Sequence, residues 1–235
     1  MDLESGQVRT WLYRDPSAAH PAEAPPIAFS WDGRLLLGGN DGVFRWEPGA
    51  SAATALLEAP GRVAWIDATP DGRWLAAVIG RMTQGGWFQI TDSKVVVFDL
   101  TTGAHRTVTS HGPQVSVAAL DPGVRVLVTG DTGGRVRVGP ASGETPRLLV
   151  GHTTSVTGVA VSPDGKWIAS AAGAEIRLWP MPDLSQPPFH TLPHAELMAR
   201  LRALKNLRAV DDPASATGYK LDVGPFPGWR DVPTW

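Results

Sequence analysis

Short alternations of apolar and polar residues, separated by glycine-containing turns, recur along most of the chain. The clearest stretch covers residues 151–179. It alternates through Val156, Val159 and Val161, turns at residues 162–165, and continues through two further apolar segments that end at Trp179. A period of two residues with turn residues between the runs is typical of antiparallel β-strands. The pattern predicts three consecutive strands in this stretch.

The same unit occurs four times. The glycine of the turn after the first strand stands at positions 33, 72, 123 and 165, so the steps between units are 39, 51 and 42 residues. The long second step contains an insertion at residues 80–93, between the second and third strands of that unit. Outer strands are expected at residues 55–57 and 189–192. A fixed period of this size indicates a repeat architecture.

The unit at residues 151–179, which begins Gly-His and ends Leu-Trp, resembles a repeat of the WD-repeat β-propeller family. The resemblance implies an all-β fold in which small four-stranded sheets, the blades, stack around an axis and bury one another's faces. It predicts about four blades plus one orphan outer strand at residues 8–12. A complete ring of this family normally has more blades, so we expect a partial ring.

Residues 193–235 differ from the repeats. Leu197, Leu201 and Leu204 have helical spacing within residues 194–207, and apolar runs at residues 207–210 and 219–223 predict strands. We therefore expect a partial propeller over residues 1–192 and a helix-plus-β-hairpin appendage over residues 193–235. The runs LRALKNLRAV and GPFPGW make this tail similar to the C-terminal tails of bacterial WD-repeat signalling proteins that carry kinases or signalling ATPases.

The family resemblance also implies a hydrogen-bond network in each blade. The network joins a histidine, a Ser or Thr of the second strand, an Asp of the next turn and a Trp of the third strand. No unit has all four, and the fourth unit lacks the Asp. The positions that match are His111 and Thr129 in the third unit, His152, Ser170 and Trp179 in the fourth, Asp41 and Trp46 in the first, and Asp99 in the second. These residues are expected to be structural.

The composition and net charge of the chain argue against several classes of function. The 235 residues contain no cysteine and carry a formal net charge of −2, so neither thiolate chemistry nor a general attraction to nucleic acid is expected. The N-terminus lacks the apolar core of a secretory signal, and no apolar run approaches 18 residues. We expect a cytoplasmic protein that does not bind membranes.

Catalytic and metal-binding motifs are also absent from the sequence. Phosphate-binding loops, nucleophile elbows and His-Glu-x-x-His motifs do not occur. His190 and His194 have helical spacing, but Pro193 intervenes and no third ligand follows. We expect no metal, no cofactor and no enzymatic activity.

The insertion is the best candidate for partner binding, because Trp87, Phe88 and Gln89 lie beside two glycines and exposed aromatics dominate protein interfaces. The alternative is that it folds back on its own blade or on the tail. The expected function is a non-catalytic protein-interaction scaffold, the C-terminal propeller portion of a larger bacterial signalling protein. Its partner would be another protein or an upstream domain, and self-association through open blade edges is possible. Two alternatives are a hydrolase- or lactonase-like propeller enzyme with an axial site, and a purely structural module for an upstream catalytic domain.

Overall fold

A computed structural model describes residues 25–47, 50, 52–83, 89–188, 191–204, 207–214 and 218–223. Within these residues the chain forms strands almost throughout, with one helix near the C-terminus. In chain order the elements are β1 (Ile27–Phe29), β2 (Leu35–Gly38), β3 (Gly42–Trp46), β4 (Thr54–Glu58), β5 (Arg62–Ala68), β6 (Trp74–Thr83), β7 (Gln89–Asp99), β8 (His105–Val108), β9 (Val115–Leu120), β10 (Val126–Asp131), β11 (Arg135–Pro140), β12 (Arg147–Val150), β13 (Val156–Val161), β14 (Trp167–Ala172), β15 (Glu175–Pro180), α1 (His194–Leu204), β16 (Leu207–Asp211) and β17 (Tyr219–Val223).

Strands β1–β15 form four consecutive antiparallel sheets. Blade A contains β1–β4, blade B β5–β8, blade C β9–β12 and blade D β13–β15, and each strand pairs with the next in the chain. The predicted repeat of short antiparallel strands is confirmed. Blade D has three strands among the described residues, and Thr191 and Leu192, which were expected in its outer strand, lie outside any strand. The expected orphan strand at residues 8–12 and the remaining outer-strand positions, 189 and 190, lie outside the described residues.

Each blade turns sharply after its first strand, and blade B shows why the sequence requires this turn. The Thr69 hydroxyl donates to the Asp71 carboxylate and accepts the backbone N–H of Trp74. Gly72 has a φ of 62°, in the left-handed region that favours glycine. Its carbonyl accepts the Trp31 N–H at 2.9 Å, and a Cβ on Gly72 would collide with the Trp31 backbone. The turn glycine therefore allows close contact between the turns of blades A and B.

Adjacent blades bury apolar side chains between their faces. The cluster between blades A and B includes Leu36, Val43, Ile66 and Leu75, and that between blades B and C includes Val95, Val97, Ala118, Leu120 and Leu127. The Trp65 indole N–H donates to the Ala118 carbonyl at 2.9 Å and ties the inner strands of blades B and C together.

Blades C and D are joined in a similar way. The Ser116 hydroxyl of blade C donates to the Val156 carbonyl of blade D at 2.8 Å. Gly130 of β10 lies against the Val156 side chain, where a Cβ would collide with it.

Residues 80–83 and 89–93 of the insertion continue the two strands that flank it. β6 extends to Thr83 and β7 begins at Gln89, and these two residues pair across the hairpin. A register shift between Ile79 and Arg81 marks where the regular blade ends and the extended hairpin begins. Antiparallel pairing satisfies the backbone polar groups of most of the insertion.

The chain divides into two compact units, Met1–Met181 and Pro182–Trp235. The second unit contains α1 and a hairpin in which Leu207 of β16 pairs with Val223 of β17. The expected helix and hairpin are both present, and the boundary at residue 193 stays a prediction. The helix ends at Leu204 rather than at residue 207, because Leu207 already belongs to β16.

Candidate functional site

Blade D contains a four-residue chain of hydrogen bonds. The Trp179 indole N–H donates to the Ser170 hydroxyl oxygen at 2.8 Å, and that oxygen lies 2.7 Å from Nε2 of His152. On the other side of the ring, Nδ1 of His152 lies 3.2 Å from the Glu175 carboxylate. A neutral imidazole has one N–H, and the carboxylate can only accept. The network therefore assigns the proton to Nδ1, and the Ser170 hydroxyl donates to Nε2.

The strands fix this geometry. Ser170 is on β14 and Trp179 is on β15, and His152 lies in the segment before β13. Ser170 is 2% exposed and His152 is 7% exposed, so their polar atoms depend on protein partners. Arg177 bonds the Glu175 carboxylate and lies over the Trp179 ring, 5.8 Å from its centroid. The Arg177 hydrogen bond, assisted by that of His152, lowers the pKa of Glu175.

The carboxylate in this network was missed by the sequence pattern. Glu175 is the first residue of β15 and pairs directly with Ala172, the last residue of β14. In blade C the acidic residue is Asp131, which ends β10 on the opposite side of the hairpin. Blade D thus supplies its carboxylate from the third strand instead of from the end of the second. The expectation that no unit holds a complete network does not apply to this blade.

Blade C joins its residues differently. Nδ1 of His111 lies 2.8 Å from the Thr129 hydroxyl, as the sequence leads one to expect, but Nε2 has no hydrogen-bond partner among the described residues. The Asp131 carboxylate instead bonds Arg137 at 2.7 Å. Gly139 occupies the strand position of Trp179, so no indole is present there.

The buried position of His111 has an electrostatic consequence. The side chain is fully buried, and burial, assisted by the positive charge of Arg137, lowers the pKa of His111 to about 4. The ring is therefore neutral at physiological pH. A fully buried, neutral ring bonded to the Thr129 hydroxyl fits the structural role expected for this position.

The remaining predicted network residues lie apart from one another. Asp41 is an exposed turn residue that lines a shallow groove with Phe44 and Glu58. Trp46 is buried, and its indole N–H donates to the Ala50 carbonyl at 3.1 Å.

Asp99 organises the turn after β7. Its carboxylate accepts the Thr101 N–H at 2.8 Å and the Thr102 hydroxyl at 2.8 Å. The Thr102 hydrogen bond is the largest cause of the fall in the Asp99 pKa to about 2.

Two of the three partner-binding candidates, Trp87 and Phe88, lie outside the described residues. Gln89 begins β7, and its side chain is not among those described. Of this candidate site the structure therefore describes only the backbone pairing of Gln89 with Thr83.

Asp67 is the one carboxyl in the described residues whose pKa burial clearly raises, to about 6. It lies on β5, the innermost strand of blade B, two residues from Trp65 and therefore on the same strand face. Within the described ranges, no three side chains of His, Cys, Asp or Glu come together as a metal-binding group. No helix in those ranges is long and apolar enough to cross a bilayer.

The two ends of the blade stack expose large apolar side chains. On β1 of blade A, Ile27 and Phe29 are 60% and 66% exposed. On β15 of blade D, Ile176 and Leu178 are 75% and 69% exposed. Contiguous exposed apolar surface of this kind marks interaction sites in soluble proteins.

Four radially stacked antiparallel sheets with a structural His–Ser–Trp network define a partial β-propeller. Comparison with known proteins gives the type of blade: residues 143–180 match the family model described as WD domain, G-beta repeat. The match begins before β12 and ends with β15. The sequence repeat thus links the outer strand of blade C to the three strands of blade D, and the chain has the WD-repeat propeller fold.

One sequence relative and one solved structure agree with this assignment. An uncharacterized WD repeat-containing protein of Synechocystis sp. is 29% identical over 125 residues, which cover 51% of this chain and 32% of the relative. A chain in the crystal structure of a mitotic checkpoint complex has the same fold, with a TM-score of 0.53 and 19% identity over 75% of this chain and 59% of that one. The chain therefore spans about a third of its curated relative.

Proposed function

We propose that the chain is a non-catalytic protein-interaction scaffold. The observation that supports this proposal is which side chains are buried and which are exposed. The buried histidines are engaged by hydroxyls inside blades C and D, whereas large apolar side chains are exposed at both ends of the stack. WD-repeat propellers commonly present protein-binding surfaces, and the similar chain in the mitotic checkpoint complex belongs to a multi-protein assembly.

The finer proposal is that the chain is the C-terminal propeller portion of a larger bacterial signalling protein. Its support is that the Synechocystis relative is bacterial and that the match covers only 32% of it. The tail at residues 193–235 provides the second support, since it is similar to the tails of bacterial WD-repeat signalling proteins.

The segment between β6 and β7, which contains Trp87 and Phe88, is the first candidate to test. A double variant, Trp87→Ala with Phe88→Ala, is compared with Trp167→Ala, which removes a half-exposed tryptophan from β14. Each chain is immobilised, and proteins retained from a lysate of the source organism are identified by mass spectrometry and then titrated as purified components.

A purified partner with a saturable, micromolar or tighter affinity supports the scaffold. If the segment between β6 and β7 is the site, the double variant loses that partner with an unchanged melting curve, and Trp167→Ala keeps it. A double variant with a collapsed melting curve places these aromatics in packing instead. The absence of any saturable protein partner would refute the scaffold function.

A further inference from the structure

Wherever one blade packs on the next, two surfaces meet. The exposed face of β1 and the exposed face of β15 correspond to these two surfaces. Ser30, Thr69, Asp121 and Ser162 each follow the first strand of a blade and begin the same turn. The residue directly before each of these turn residues occupies the same position in its blade, so Phe29 of blade A is equivalent to Leu120 of blade C. Leu120 is 6% exposed because it packs against blade B, in the cluster between the two blades. The β1 face of blade A therefore has the position that faces a preceding blade.

The opposite half of the junction is found on blade D. Leu178 pairs with Ala169, as Val97 of blade B pairs with Ala76 and Val138 of blade C pairs with Val128. These three residues are therefore equivalent.

Both equivalent valines are buried, and residues of the blade that follows pack on Val97. Val97 and Val138 are both 0% exposed, and Val97 belongs to the same cluster as Leu120. Leu178 is 69% exposed, since no blade follows it within the described residues. The face of β15 is thus shaped for a following blade.

We propose that two copies of this chain join head to tail, with the β1 face of each packed on the β15 face of the other, and close an eight-bladed ring. The three internal junctions of the chain show that a face of the first kind packs on a face of the second kind. Head-to-tail interfaces close into rings when their rotation permits, and rings of about four to eight blades are the usual range for propellers. The proposal goes beyond the scaffold function: a second copy supplies the blades that, under the finer proposal above, an upstream part of the same protein would supply, and the dimer is then the form that binds partners.

The first test is the mass in solution of the 235-residue chain, measured by sedimentation velocity from about 1 to 100 µM. The wild type is expected at the mass of two copies. Phe29→Asp and Leu178→Asp each place a charge in both junctions of such a dimer, so each is expected to be monomeric. Val150→Asp is the matched control, since Val150 is 71% exposed on the outer strand β12, away from both faces. It is expected to stay dimeric.

Mixing the variants tests the head-to-tail arrangement. A mixed pair of Phe29→Asp and Leu178→Asp chains keeps one junction with no substitution, so dimers are expected to reappear only on mixing. The chain has no native cysteine, which makes Phe29→Cys and Leu178→Cys clean reporters. A disulfide between copies is expected when these two variants are mixed and not with either alone, because the equivalent pair, Leu120 and Val97, packs in one cluster. Far-UV circular dichroism melting curves check that every variant folds.

Three results would overturn the proposal. A wild type that is monomeric at 100 µM would assign the faces to blades or partners from another source. A ladder of masses beyond two copies would show an open filament. Crosslinking of Phe29→Cys with itself would show a symmetric contact between like faces.

Discussion

The hydrogen-bond chain of blade D makes a quantitative prediction for Ser170→Ala. The substitution removes the hydroxyl that lies 2.7 Å from Nε2 of His152 and 2.8 Å from the Trp179 indole nitrogen. A buried polar group left without its partner costs about 1–3 kcal/mol. His152 is almost fully buried and bears this full cost, whereas the half-buried Trp179 N–H can recover water. We expect the free energy of unfolding to fall by about 2–4 kcal/mol.

A double-mutant cycle isolates the bond between Ser170 and Trp179. Trp179→Phe keeps a large ring and removes the indole N–H. If the bond exists, the loss in Ser170→Ala/Trp179→Phe is smaller than the sum of the two single losses by about 1 kcal/mol. Urea unfolding should be followed by far-UV circular dichroism, since removal of a tryptophan would disturb a fluorescence signal.

Thr129→Val is the matched control in blade C, because it removes the equivalent hydroxyl, which bonds only His111. The expected loss is about 1–2 kcal/mol, since one hydrogen bond is broken instead of two. A coupling energy near zero between Ser170 and Trp179, or a loss in Ser170→Ala no larger than that in Thr129→Val, would refute the assigned network.

Three other substitutions are predicted from the structure. Gly42→Ala should destabilise the chain by more than about 2 kcal/mol in urea unfolding, because a Cβ at this φ of 141° collides with the Leu57 carbonyl, whereas Gly33→Ala, with open space around it, should cost about 1 kcal/mol. His111 is neutral in the fold with a pKa of about 4, so wild-type stability falls as the pH drops from about 6.5 to 4, by up to about 3 kcal/mol, and unfolding curves of His111→Gln across that range should lack this loss. The raised pKa of Asp67 has the opposite sign, since the folded chain gains stability as the pH falls from about 6 to 3.8. Asp67→Asn should therefore be about 1–2 kcal/mol more stable than the wild type at pH 7.5, with the advantage gone at pH 4, and an equal difference at both pH values would contradict the assignment.

The blades could be predicted from the sequence because the signals that define them are local. Alternation of apolar residues assigns strands, and a turn glycine such as Gly72 marks where each first strand ends. The extended hairpin at residues 80–93 was not predicted, because its composition contains turn residues and its pairing depends on the register continued from β6.

The role of the Glu175 carboxylate in blade D was not predicted either, for a related reason. Sequence spacing places the acidic residue before the turn, where Asp131 lies in blade C and Ala172 lies in blade D. Glu175 takes its role because it pairs across the hairpin with Ala172, and paired residues in antiparallel strands lie within side-chain reach. That relation is one of register, which spacing along the chain does not contain.

Blades C and D differ in their hydrogen-bond networks, and they also differ in how many of their faces are covered by another blade. Arginines at the same strand position, Arg137 and Arg177, both bond a carboxylate. In blade C this leaves His111 with one hydrogen bond, and the blade is held by junctions with blade B on one face and blade D on the other. In a single copy, blade D leaves the Leu178 face exposed and so gains less from apolar burial on that side. Its His152–Ser170–Trp179 network supplies hydrogen bonds within the blade that blade C, covered on both faces, has only in part.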